Sequence, residues 1–120
     1  MKVVVTSAGQ TMDSEVDSRF GRAAYFLLVD TETDELDAVD NSQDLEAAQG
    51  AGIQAAQKVA GLEPEYLIGG HCGPKAFAVL SAAGIKVVVG AHGTVREAVQ
   101  QLQQGELREV GEADVEGHWV

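Results

Sequence analysis

Residues 2–6 (KVVVT) and 85–89 (IKVVV) are short β-branched runs without the polar alternation of a strand that keeps one face in water. Runs of this kind belong in a sheet covered on both faces, which requires helices packed above and below it. That requirement selects an α/β fold. A chain of 120 residues has length for one such domain and can bury a real core.

The stretches between these runs supply the other elements. Residues 7–24 carry Gly, Asp, Ser and Arg with no sustained period, and their larger apolar side chains are Met12, Val16 and Phe20. An irregular segment this long in a compact domain is functional or mobile, so a weakly anchored loop is expected. Residues 25–30 and 36–41 read as strands around a polar turn of hairpin length, which makes the first three strands antiparallel neighbours. Over residues 47–60, Ala48, Ala51, Gly52, Ala55 and Val59 recur at helical spacing, and Gly61 with Pro64 closes the segment. Residues 66–68 form a strand. Pro74 suits a first helical position, with Phe77 and Leu80 inward and Gly84 as the stop. Thr94 opens a last helix whose Val95, Ala98, Val99 and Leu102 share a face, and Thr94 with Glu97 has capping-box spacing. The expected order is β-β-β-α-β-α-β-α over residues 1–105, followed by an acidic tail over 106–120 with Leu107, Val110 and Trp119 as its anchors.

Charge narrows the partners. Nineteen acidic against eight basic residues give a formal charge of −11, which repels nucleic acid unless cations are gathered in one place. The N-terminal MKVVVTSAGQ lacks a signal peptide's apolar region and no stretch is long enough to span a bilayer, so a cytoplasmic protein with no membrane partner is expected. One cysteine excludes an internal disulfide and any zinc site built from several thiolates.

In an open α/β sheet, ligands bind beyond the carboxyl ends of the parallel strands. Three loops meet that description: 7–24, 69–73 and 90–93. They bring Arg19 and Arg22, then His71 and Cys72 with Lys75 just inside its helix, then His92 with Arg96 just inside its helix. Four of the eight basic residues and two of the three histidines thus converge on one edge of an acidic protein. Two helix N-termini point there and favour an anion, and Gly69, Gly70, Gly73, Gly90 and Gly93 let a ligand approach the backbone. The expected ligand is compact and anionic, with sulfur or imidazole available as ligands. Each piece also has a plain structural reading: a lone Cys at a strand end is often core, histidines are commonly surface groups, and loop arginines commonly face water.

Sharper motifs fail. Residues 50–55 match a dinucleotide-binding G-x-G-x-x-A, but no strand precedes them. His71-Cys72 opens like a tyrosine phosphatase signature, yet the position that would hold its arginine is Ala78. A Cys–His nucleophile pair lacks a recognisable orienting residue and stays open.

LIGGHCGPKAF, VDSRFGRAAYFLLVD, GAGIQAAQKVA and AAGIKVVVGAHGTVREAVQ together resemble the dinitrogenase iron-molybdenum cofactor-binding family, in order over residues 1–105. The resemblance implies a ribonuclease H-like α/β fold carrying a molybdenum-containing metal-sulfur cluster, of the iron-molybdenum type or the molybdenum-copper sulfide type associated with stand-alone single domains. Taken together with the converging loops, the candidate binding set is Arg19, Phe20, Gly21, Arg22, Gly70, His71, Cys72, Gly73, Lys75, His92, Gly93, Thr94 and Arg96. Cys72, His71 and His92 are its candidate metal ligands. Arg19 stands where members that hold the iron-molybdenum cofactor tend to have histidine, and a guanidinium attracts an anion without ligating a metal. The first strand offers no carboxylate for nuclease-type magnesium. The expected function is a non-enzymatic cluster carrier, with a protein donor or acceptor as its further partner. Near a helix N-terminus and Lys75, Cys72 is expected to ionise more readily than a free thiol. Two other classes remain: a small enzyme using Cys72 on an activated acyl or disulfide substrate, and a metal-free regulatory domain binding a small anion.

Overall fold

A computed structural model describes residues 1–41, 50–70 and 72–111. Among these residues, six strands form one mixed sheet: β1 Lys2–Ser7, β2 Tyr25–Asp30, β3 Leu36–Asp40, β4 Tyr66–Ile68, β5 Lys86–Val89 and β6 Arg108–Glu109. Three helices, α1 Ala51–Leu62, α2 Pro74–Ala82 and α3 Val95–Gln103, cover it, and a 3-10 turn spans Phe20–Arg22. The strand order is β3-β2-β1-β4-β5-β6. β1, β4 and β5 run parallel, while β2 against β1, β3 against β2 and β6 against β5 are antiparallel.

The β-branched runs do lie at the centre. Val3, Val4 and Val5 are fully buried, and their side chains alternate between two cores as the pleat requires. Val4 joins Phe26, Leu67, Val87 and the inward residues of α1 and α2, including Ala55, Val59, Ala76 and Leu80. Val3 and Val5 join Leu27, Ile68, Val88 and the face of α3 formed by Val95, Ala98 and Val99. The small residues of α1 allow the close approach of helix to sheet that their spacing predicts; residues 47–49 of that expected helix lie outside the described residues. Pro74 occupies the first turn of α2, and the capping box at Thr94 is formed in both directions.

Two expectations change. The expected order has no strand after the last helix, but Arg108–Glu109, in the acidic segment 106–120, add a sixth, paired as Val88↔Glu109 and Val89↔Arg108. Val110 is buried in the α1–α2 core, and Leu107 packs against the α3 core. A strand of two charged residues carries no readable period, and charge is what an edge strand tolerates. Residues 112–120, with Trp119, lie outside the described residues. The loop after β1, expected to be weakly anchored, is tied down by its backbone. The amide of Asp17 donates to the Thr6 carbonyl (3.0 Å), that of Val16 to Gly93 (3.0 Å), and those of Val95 and Arg96 to Ser14 and Met12 (both 2.9 Å). Apolar content alone could not reveal bonds of this kind. Among the described residues, no helix is long and apolar enough to cross a membrane.

Candidate functional site

The parallel strands end at Ser7, Ile68 and Val89, and the loops that leave them meet. Thr6, fully buried at the end of β1, donates its Oγ1 hydrogen to the Asp17 carbonyl at 2.6 Å, which fixes the returning limb of the first loop over the sheet edge. Gly70, just past β4, lies so close to that limb that a Cβ would collide with the Ser18 carbonyl, so only glycine fits. Gly90, just past β5, has φ of +101°, a conformation that other residues adopt only with strain.

These constraints leave an open cavity of about 340 Å³ beyond the carboxyl ends of β4 and β5. Val16 and Ser18 wall it from the first loop, Gly69 and Gly70 from the second, and Val89, Gly90 and Ala91 from the third. Arg108, at the start of β6, completes it. This is where the topology places a ligand site in an open sheet. Among the described residues its walls are glycine, small apolar groups, the Ser18 hydroxyl and the Arg108 guanidinium, a lining suited to an anion with apolar or soft surface.

The expected site residues are only partly gathered there. Gly70 lines the cavity. Arg19 is turned to Asp17, whose two oxygens accept from its Nε (3.1 Å) and Nη2 (3.0 Å), while Oδ1 also accepts from the Arg19 amide (2.9 Å). The Arg19 side-chain hydrogen bond holds the Asp17 carboxyl below its ordinary value despite the opposing effect of burial. Arg96 faces Asp13 at 3.5 Å. The four cations expected to converge therefore include two that carboxylates of the first loop already engage. Arg22 and Lys75 are exposed. Phe20 is buried against Phe26, with ring centroids 5.8 Å apart, and anchors the turn that also carries Gly21. Gly73 caps α2. The Gly93 carbonyl accepts from Val16, and Thr94 caps α3, its amide holding the Glu97 carboxyl below the usual range. His92 is exposed, its backbone gripped by the Gln101 amide, which accepts from the His92 N–H (3.2 Å) and donates to its carbonyl (3.0 Å). His71 lies outside the described residues.

Cys72 corrects an expectation. Its side chain is 5% exposed and belongs to the core with Val4, Phe20 and Ala76, and burial pushes its thiol up to about 11. Desolvation outweighs the helix N-terminus, so the thiol is protonated at neutral pH. Among the described residues, no three or more His, Cys, Asp or Glu side chains are grouped to hold a metal ion. Ser18 and Arg108 are the polar lining residues, among those described, that motif reading missed. Arg108 is the one Lys or Arg after residue 105, a cation isolated in an acidic segment, which was the available signal.

A family described as dinitrogenase iron-molybdenum cofactor matches residues 1–105. The apo form of the orange protein from Desulfovibrio gigas is 43% identical, covers 92% of each chain and superposes with a TM-score of 0.84. A candidate NifB protein from Thermotoga is 37% identical over 90% of this chain and 91% of its own, with a TM-score of 0.75. A candidate dinitrogenase from Methanocaldococcus jannaschii shares the fold, at 14% identity over 92% of this chain and 95% of its own, with a TM-score of 0.70. No curated relative matches the sequence.

Proposed function

The chain belongs to the dinitrogenase iron-molybdenum cofactor family, and from that premise we propose that it is a cytoplasmic, non-enzymatic carrier of an anionic, molybdenum-containing metal-sulfur cluster. The cluster is cargo, seated in the cavity beyond β4 and β5, and a molybdenum-copper sulfide is the form that the likeness to the orange protein favours. The sheet, in the same reading, is ribonuclease H-like, its hairpin β2–β3 flanking the parallel strands β1, β4 and β5.

The observation that carries the reading is the cavity itself: glycine backbone and the Arg108 guanidinium, with no carboxylate among the described residues of its lining, in a chain of formal charge −11. The donor set fits a cluster that brings its own sulfides. Sulfide already satisfies soft metals, so the protein's part is to hold an anion by charge and backbone contact. The protonated Cys72 thiol does not suit direct ligation at neutral pH. Arg19, Arg22, Lys75 and Arg96 lie outside the cavity lining, on the first loop and the first turns of α2 and α3, and in this reading they lower the cost of bringing an anion to that edge, with Arg19 and Arg96 partly offset by Asp17 and Asp13.

The test is anaerobic purification followed by reconstitution with tetrathiomolybdate and copper. A coloured, stoichiometric complex surviving gel filtration is expected. A preparation that is colourless and metal-free, and stays so after reconstitution, overturns the carrier reading.

A further inference from the structure

We infer that Asp17 is a built-in competitor for the anion bound at this edge of the sheet: its carboxylate occupies the Arg19 guanidinium until a compact multivalent anion displaces it. That the natural anion is a metal-sulfur cluster rests on the carrier reading above.

The two partners of this pair differ in freedom. Asp17 Oδ1 accepts from the Arg19 Nε at 3.1 Å and from the Arg19 amide at 2.9 Å, and Oδ2 accepts from Nη2 at 3.0 Å. The Asp17 side chain is 10% exposed, and its backbone is locked to β1 by two bonds with Thr6, of 3.0 and 2.6 Å. The Arg19 side chain is 68% exposed, on a backbone whose carbonyl accepts from the Arg22 amide at 3.1 Å. A ligand can therefore draw the guanidinium away while the carboxylate stays in place, still bonded to the Arg19 amide.

Between Asp17 and Arg19 stands Ser18, which walls the cavity beyond β4 and β5 and whose carbonyl meets Gly70. The exchange thus takes place at the cavity rim. A guanidinium holds a carboxylate and an oxo- or thio-anion through the same fork of donors, so the two compete for it. Arg19 is available only for the fraction of time that it is off Asp17, and the apparent affinity of an anion that uses it falls by that fraction. A multivalent anion brings more charge to the fork than a carboxylate does, which makes it the class that wins the exchange.

The experiment measures binding of tetrathiomolybdate and, separately, inorganic phosphate to wild type, Asp17→Asn, Arg19→Gln, the double variant and Asp37→Asn. Asp37→Asn makes the same change in net charge on β3, where the side chain is exposed. Melting curves set a temperature at which every variant is folded. Asp17→Asn should bind tetrathiomolybdate about threefold more tightly than wild type, the scale of an exposed ion pair, and Asp37→Asn should bind like wild type. In the Arg19→Gln background Asp17→Asn should change nothing, because the competitor has lost what it competes for. A gain that is equal with and without Arg19, or that Asp37→Asn reproduces, assigns the effect to net charge and overturns the inference while the carrier reading stands. Weaker binding in Asp17→Asn also overturns it, since the carboxylate then supports the loop. The expected pattern with phosphate, and no tetrathiomolybdate binding by any variant, supports the competitor and overturns the carrier reading. Failure of every variant to bind either anion overturns the inference.

Discussion

The carbonyl of Ser18 rests against the α-carbon of Gly70, so the loop after β1 and the loop after β4 touch backbone to backbone at the rim of the cavity. Gly70→Ala must push these loops apart. Overpacking of this kind costs about 1–3 kcal/mol, and here it also opens the cavity wall. Thermal unfolding should show the loss, and cluster binding should weaken more than in a variant equally destabilised elsewhere. An alanine variant with wild-type melting and binding would mean that the two loops separate freely.

Asp17 is the anchor of Arg19. Its carboxyl is held below the ordinary value of 3.8 chiefly by the Arg19 side-chain hydrogen bond. A depressed carboxyl contributes stability that is complete above the unfolded value and is lost as pH falls through the lower folded value. Asp17→Asn should cost about 1 kcal/mol at pH 7, since Arg19 is largely solvent-exposed. The difference between the two proteins should shrink below pH 3.8 in urea titrations. A difference that persists unchanged into strong acid would assign the effect to the amide rather than to lost charge.

How much could be read beforehand follows from the range of each interaction. The central strands and the three helices were legible because period and capping are local: the KVVVT run, Pro74, and the Thr94–Glu97 pair each act within a few residues. The meeting of three loops at one edge was legible from topology, since the loops after β1, β4 and β5 do line a cavity there. Side-chain direction was not. Arg19 lies on the expected loop and Arg96 in the first turn of α3, but carboxylates compete for them: Asp17 from two residues away and Asp13 from the far end of the sequence, and the position of an acid in a sequence does not say which way its side chain turns. Cys72 sits beside a glycine-rich turn yet points into the core. β6 was hidden because two residues have no period, and its anchor, Val110, gains meaning only once β5 is in place.

Cys72 gives an alkaline signature. A thiol held protonated by burial contributes stability that is complete below the unfolded value of 9.0 and is lost as pH rises through the folded value of about 11. Cys72→Ala should remove that component, so the stability gap between wild type and variant narrows over this window. At pH 7 the substitution should cost about 1 kcal/mol for the lost packing. The visible bands of the reconstituted cluster should be unchanged, because a sulfide cluster does not need this thiolate. Bleached or strongly shifted bands would return Cys72 to the list of ligands.

The loop after β1 should be ordered before any ligand arrives, because its hydrogen bonds close within the protein. Asp17 and Val16 donate to Thr6 and Gly93, and Thr6 Oγ1 donates in return to the Asp17 carbonyl. Thr6 is fully buried, so valine of the same shape keeps the packing and deletes the hydroxyl's bonds, the short one to the Asp17 carbonyl and a long one to the Ile68 carbonyl (3.4 Å). Thr6→Val should therefore cost about 1 kcal/mol and raise amide exchange at Val16 and Asp17 about fivefold, with little change at the central amides of β1 and β4. Exchange is measured on the protein without cluster, where wild type should already show slow Val16 and Asp17 amides. If these amides exchange at the rate of an unstructured chain until the cluster is added, the loop is ordered by its ligand, and the entropy of fixing it is a cost that binding must overcome.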